Sequence, residues 1–130
     1  MTASGLLAVG GGAAIGAWLR WLLSLLLNPL IPALPMGTLA ANLTGGFLIG
    51  MAVEYLGQHT TLAPELRLFV ITGMLGGLTT FSSFSAEAVL LIQRLEWGWL
   101  VLLVAAHVFG SIAMTLLGVM TVRLLAGTAT

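Results

Sequence analysis

Apolar residues fill this chain in four long blocks, and polar residues cluster at only a few points between them. A helix needs roughly 20 apolar residues to cross about 30 Å of hydrocarbon. Cutting at the polar breaks gives blocks of that length at about residues 5–27, 37–56, 65–94 and 98–123. Asn28-Pro29, followed by Pro32 and Pro35, closes the first block in an uncharged loop, because proline lacks the amide donor and its ring clashes with the preceding turn. The polar stretch 57–64 separates the second and third blocks, and Glu96-Trp97-Gly98 turns the chain into the fourth. The expected fold is an all-α membrane protein, with four transmembrane helices in a single domain over residues 1–130. An even number of crossings puts both termini on one side.

The third block is too long for one crossing. As unbroken helix it would reach ~42 Å against a hydrocarbon layer of about 30 Å. Gly76-Gly77-Leu78-Thr79-Thr80 is the place to interrupt it, since paired glycines and β-branched threonines all disfavour helix. Irregular backbone at membrane depth survives only where it is buried in protein or lines a watery cavity. The expected third helix is therefore broken near its middle, at a site.

Composition places the chain in lipid. It is 59% hydrophobic and 6% charged, with a mean hydropathy of +1.13, whereas a soluble domain carries about 25% charge. Zero formal charge leaves no basic face for nucleic acid. The absence of cysteine removes disulfides, thiolate chemistry and cysteine metal sites. Met1-Thr2-Ala3-Ser4 lacks the basic start of a signal peptide, so the first block is read as a mature span.

The arginines give no orientation. Arg67 and Arg123 fall toward the side of the termini and Arg20 and Arg94 toward the other, with no lysine to tip the balance. Either other signals fix one orientation, or the chain inserts both ways and opposite copies pair as an antiparallel dimer. Gly12-x-x-x-Gly16, Gly46-x-x-x-Gly50 and Gly73-x-x-x-Gly77 each let helix backbones meet closely. Four short helices enclose little volume, so a path through the membrane calls for a second subunit.

Polar groups at membrane depth are costly, and here they are regularly spaced. Thr38 and Asn42 are one turn apart on the second span; His107, Ser111 and Thr115 form a stripe on the fourth. The third adds Thr79, Thr80, Ser82, Ser83 and Ser85, with Phe81 and Phe84 on a shared face if helix resumes there. Hydroxyls, the Asn42 amide and ring edges suit a small anion, whereas a cation would want carboxylates, and none recurs along the stripes. Each feature also has a plainer reading. Membrane hydroxyls commonly bond their own i−4 carbonyl, a Phe pair commonly packs, and His107 can be a hydrogen-bonded packing residue. Arg20 either snorkels to the headgroups or draws anions, and Glu87 is a possible partner for it. No aspartate, metalloprotease motif or nucleophile with an adjacent base points to an enzyme.

Gly37-Thr38-Leu39-Ala40-Ala41-Asn42 and the run from Gly73 to Glu87, GMLGGLTTFSSFSAE, resemble the Fluc (CrcB) family of fluoride channels. So do Gly16-Ala17-Trp18-Leu19-Arg20-Trp21 and His107-Val108-Phe109-Gly110-Ser111. The matches touch all four blocks in order; Ser83, where the family commonly has Thr, keeps the hydroxyl. The resemblance implies a dual-topology homodimer in the bacterial inner membrane, with two antiparallel pores, passively exporting toxic fluoride. It implies that Phe81 and Phe84 face the ion with Asn42 and Ser82 beside them, that Ser111 and Thr115 form a hydroxyl track, and that Arg20 sits at the vestibule. It further implies a structural sodium ion at the dimer centre, held by main-chain carbonyls of Gly76 and Thr79. Two other classes share the composition. A proton-coupled small multidrug exporter wants a carboxylate in its first span, where only Arg20 is charged, and a structural assembly subunit predicts no flux.

Overall fold

A computed structural model describes residues 2–127 of the chain. Helix α1 (Ala3–Leu27) runs on into a 3-10 turn, Asn28–Leu30. After the proline loop comes α2 (Met36–Gln58), with the Asn28 side-chain oxygen accepting from the Gly37 N–H at 2.8 Å and tying the loop shut. The third span, Pro64–Gln93, is in two halves. We call the first half α3: the turn Pro64–Arg67, a π-helix Leu68–Leu75 and the turn Gly76–Leu78. The second half is α4, Phe81–Gln93, and the last helix is α5, Trp97–Gly127. All four spans are long and apolar enough to cross a membrane.

Two details depart from the sequence reading. Gly76 and Gly77 remain helical, and the break falls on Thr79 and Thr80, whose backbones are extended (φ −78°, ψ 153° and φ −151°, ψ 120°). Of Glu96-Trp97-Gly98, expected to turn the chain, Trp97 and Gly98 are already helical, and the turn into α5 is made by Leu95 just ahead of Glu96. Leu95 adopts φ 59°, while its N–H donates to Ile92 O at 3.0 Å and that of Glu96 to Leu91 O at 2.9 Å. This is a Schellman closure built without glycine. A left-handed leucine costs roughly 1–2 kcal/mol, which the two recovered hydrogen bonds help to offset.

Glycine contacts organise the helices into two close pairs. A Cβ on Gly12 would strike Phe69 O and one on Gly16 would strike Met74 O; from the other side, a Cβ on Gly73 would come 2.7 Å from Val9 O and one on Gly77 2.6 Å from Ala13 O. Thus α1 and α3 touch backbone to backbone along facing small-xxx-small stripes. Helices α2 and α5 do the same, with Gly50 against Thr115 O and Gly118 against Phe47 O. Leu34, Leu39, Leu91 and Leu103 form one buried cluster, and Ala41, Leu75 and Leu78 another. The outer faces carry exposed Leu, Val and Trp side chains.

Polar contacts gather the expected ends of the spans. Ser4 donates to Glu65 at 3.1 Å, Arg67 donates to Leu56 O, and Arg123 forms a two-pronged pair with Glu54 at 3.0 and 3.1 Å. The start of α1, the end of α2, the start of α3 and the end of α5 therefore lie at one end of the bundle.

Candidate functional site

The break in the third span is held by side chains from other helices. Where Thr79 and Thr80 leave helical geometry, the ladder of i to i−4 hydrogen bonds fails and its groups need new partners. Asn42, on α2, meets Thr80 twice: its Nδ2 donates to Thr80 O at 3.0 Å, and its Oδ1 accepts from the Thr80 N–H at 2.7 Å. Arg20, on α1, donates from Nε to Gly77 O at 3.1 Å. Thr80 caps α4, accepting from the Ser83 N–H at 3.1 Å through its hydroxyl.

These diversions free particular carbonyls. In a continuous helix the Thr80 N–H would donate to Gly76 O and the Ser83 N–H to Thr79 O. Here Asn42 takes the first donor and the Thr80 hydroxyl takes the second. Gly76 is exposed, and a Cβ there would meet only Ile71 O, at 3.7 Å.

A groove of about 490 Å³ opens beside the break. Asn42, Gly76, Thr79, Thr80, Phe81, Phe84 and Ser111 all line it, so three spans separated in sequence converge there. The rings of Phe81 and Phe84 are 5.4 Å apart and inclined at 55°. Their surroundings differ: Phe81 is 78% exposed, while Phe84 packs on the leucine cluster and lies 4.7 Å from the His107 ring. Ser111 contributes a hydroxyl that makes no hydrogen bond among the described residues.

Three residues expected at the site stand outside the groove lining. Thr115 donates to Ser111 O at 2.9 Å, and its hydroxyl oxygen faces Gly46, where a Cβ would come within 3.3 Å. Its proton is thus spent on its own helix, as Ser24, Thr79, Ser85 and Thr121 spend theirs. Ser82 is exposed, 3.1 Å from the Thr80 hydroxyl. Arg20 lies behind the break, on the α1 side.

Arg20 and Glu87 do not pair. Glu87 accepts from the Thr38 hydroxyl at 2.5 Å, and the one ion pair among the described residues is Glu54 with Arg123. His107 is buried and shares a 3.0 Å hydrogen bond with Leu103 O. A carbonyl only accepts, so Nδ1 carries the proton. The sequence placed Thr80 in the break but not as the N-cap of the helix beyond it, although a threonine just ahead of an apolar run is a helix-start signal. Its bond to Asn42 had no local signal.

Four membrane-length helices, one broken at mid-span where hydroxyls, an amide and two rings converge, define a small multi-pass membrane protein with an open groove at the break. The chain belongs to the CrcB family: residues 7–119 match the family model described as "CrcB-like protein, Camphor Resistance (CrcB)". It is 60% identical over 121 residues to the "Fluoride-specific ion channel FluC" of Nitrosospira multiformis, covering 93% of this chain and 94% of that one. A protein of the same name from Ralstonia pickettii is 58% identical over 123 residues, covering 95% and 98%. Another, from Aromatoleum aromaticum, is 57% identical over 112 residues, covering 86% of each chain.

Proposed function

We propose that this protein is a passive, fluoride-selective channel, not an enzyme, that lets fluoride leave the cell across the bacterial inner membrane and so protects against its toxicity. The observation that carries the reading is the 60% identity, over nearly the whole of both chains, to a relative named as a fluoride-specific channel. The groove's chemistry agrees with it. Fluoride is small and strongly hydrated, and an unpaired buried ion is prohibitive, so a path must offer short donor contacts in place of water. The Ser111 hydroxyl and ring edges at Phe81 and Phe84 offer such contacts with no lysine or arginine among the groove's described residues to trap the ion. By likeness to the family, Ser82 extends the path beyond the groove, whereas the Thr115 proton is spent on its own helix and the Arg20 donor on Gly77 O.

A second copy completes the pore. One chain leaves the groove open and Phe81 bare, and its arginines are balanced two against two, which favours an antiparallel, dual-topology homodimer. The open Gly76 backbone and the diverted donors at Gly76 and Thr79 suit a sodium ion held by main-chain carbonyls of both copies. Sodium would supply a fixed positive centre; the chain's own contribution is to keep those carbonyls out of the helical ladder.

The deciding experiment is ion efflux from liposomes containing the purified protein, read with a fluoride electrode alongside chloride and proton-gradient controls. Rapid fluoride release without a proton gradient, with chloride retained, is expected. Absence of fluoride release would remove the reading. Cysteine labelling of residues 57–64 from each side of the membrane tests the dimer's arrangement: labelling from both sides is expected, and labelling from one side only contradicts dual topology.

A further inference from the structure

We propose that Arg20 is a positioning residue, and that it acts on the mid-span break through the hydrogen bond of its Nε atom and not through its charge. Gly77 O is the carbonyl whose helical donor would be the Phe81 N–H. That N–H lies beyond the two extended residues Thr79 and Thr80, so the ladder cannot supply it. Arg20 Nε stands in at 3.1 Å.

The reach depends on Gly16, one turn earlier on α1. There a Cβ would strike Met74 O and approach Leu78 N, so only glycine lets α1 lie directly against the last turn of α3. Close backbone contact and the arginine bond are thus one arrangement.

The charge plays no visible part in it. Among the described residues no carboxylate pairs with Arg20: the one ion pair is Glu54 with Arg123, and Glu87 accepts from Thr38. The Nη groups make no hydrogen bond among the described residues. With Asn42 holding Thr80 from α2, Arg20 holds Gly77 from α1, so the break is gripped on both flanks. The carbonyl of Gly77 is turned to α1, while those of Gly76 and Thr79, on either side, keep no ladder donor.

Side-chain chemistry allows donor and charge to be separated. Glutamine carries an amide nitrogen on Cδ, where arginine carries Nε, and has no charge. Methionine has neither donor nor charge. Lysine keeps the charge but has a methylene at that place. The test is fluoride efflux per folded protein, with the unfolding midpoint in detergent, for Arg20→Gln, Arg20→Met and Arg20→Lys. Its flux arm rests on the fluoride-channel reading.

Arg20→Gln is expected within about threefold of the unsubstituted protein, and Arg20→Met about tenfold slower with a lower midpoint, as expected for a half-buried carbonyl left unpaired. That pattern supports the proposal, and an Arg20→Lys protein that matches the original while Arg20→Gln does not overturns it. Arg20→Gln no better than Arg20→Met, in flux or in folding, overturns it, and so does an Arg20→Met protein indistinguishable from the original. If the unsubstituted protein releases no fluoride, the channel reading fails, and the order of the unfolding midpoints still decides the role of Arg20.

Discussion

Asn42 grips the backbone of Thr80 from both sides, donating to its carbonyl at 3.0 Å and accepting from its N–H at 2.7 Å. The two residues are 38 positions apart, on different spans. A side-chain amide carries a donor and an acceptor side by side, so it answers a peptide's carbonyl and N–H together. Asn42→Ala is expected to strand both Thr80 groups, at about 1–3 kcal/mol each, and to abolish fluoride efflux. Asn42→Asp keeps the acceptor, loses the donor and adds a negative charge beside the groove. Its efflux is expected to fall at least about tenfold while the protein remains folded. Efflux unchanged in Asn42→Asp would remove Asn42 from the path.

The two phenylalanines are expected to separate function from stability. Phe81 is 78% exposed and touches little of its own chain's core, so Phe81→Ile should leave the unfolding midpoint nearly unchanged and abolish efflux. Phe84 packs on the leucine cluster and His107. Phe84→Ile should therefore cost about 1–3 kcal/mol of stability as well as flux. Equal stability losses in both variants would contradict this division.

Ser111 and Thr115 lie one turn apart, yet only Ser111 has a free hydroxyl on the groove. Thr115→Val removes a hydroxyl already bonded to its own helix and keeps the branched shape against Gly46. Efflux within about threefold of the original is expected. Ser111→Ala should slow efflux more, by about tenfold. The reverse order would place the path along Thr115.

Gly16 and Gly10 share α1 but face different surroundings. A Cβ on Gly16 meets Met74 O, and one on Gly10 meets nothing within 4 Å. Gly16→Ala is expected to destabilise the protein by about 1–3 kcal/mol through overpacking and to slow efflux by disturbing the break. Gly10→Ala should cost no stability, since alanine is the better helix former. A stable, active Gly16→Ala protein would mean that α1 and α3 can separate without consequence.

What the sequence determined by itself was local: four apolar blocks of membrane length, loops closed by Pro29, Pro32 and Pro35, an interruption in the overlong third span, and small-residue stripes. Span length, proline and glycine act through near neighbours along the chain, so a one-dimensional reading suffices. Tertiary structure decided the rest. Within the stretch 76–80 expected to break, Gly76 and Gly77 stay helical with the bare backbone of Gly77 against Ala13 of α1, and the extended residues are Thr79 and Thr80. Arg20 turned to the Gly77 carbonyl and Glu87 to Thr38, although Arg20 and Glu87 looked like partners by charge. The Thr115 hydroxyl reads like that of Ser111 in sequence, but one is bonded into its own helix and the other is left free. A hydroxyl or carbonyl chooses its partner by what lies within about 3 Å. For groups 38 to 57 positions apart, that choice exists only once the helices have packed.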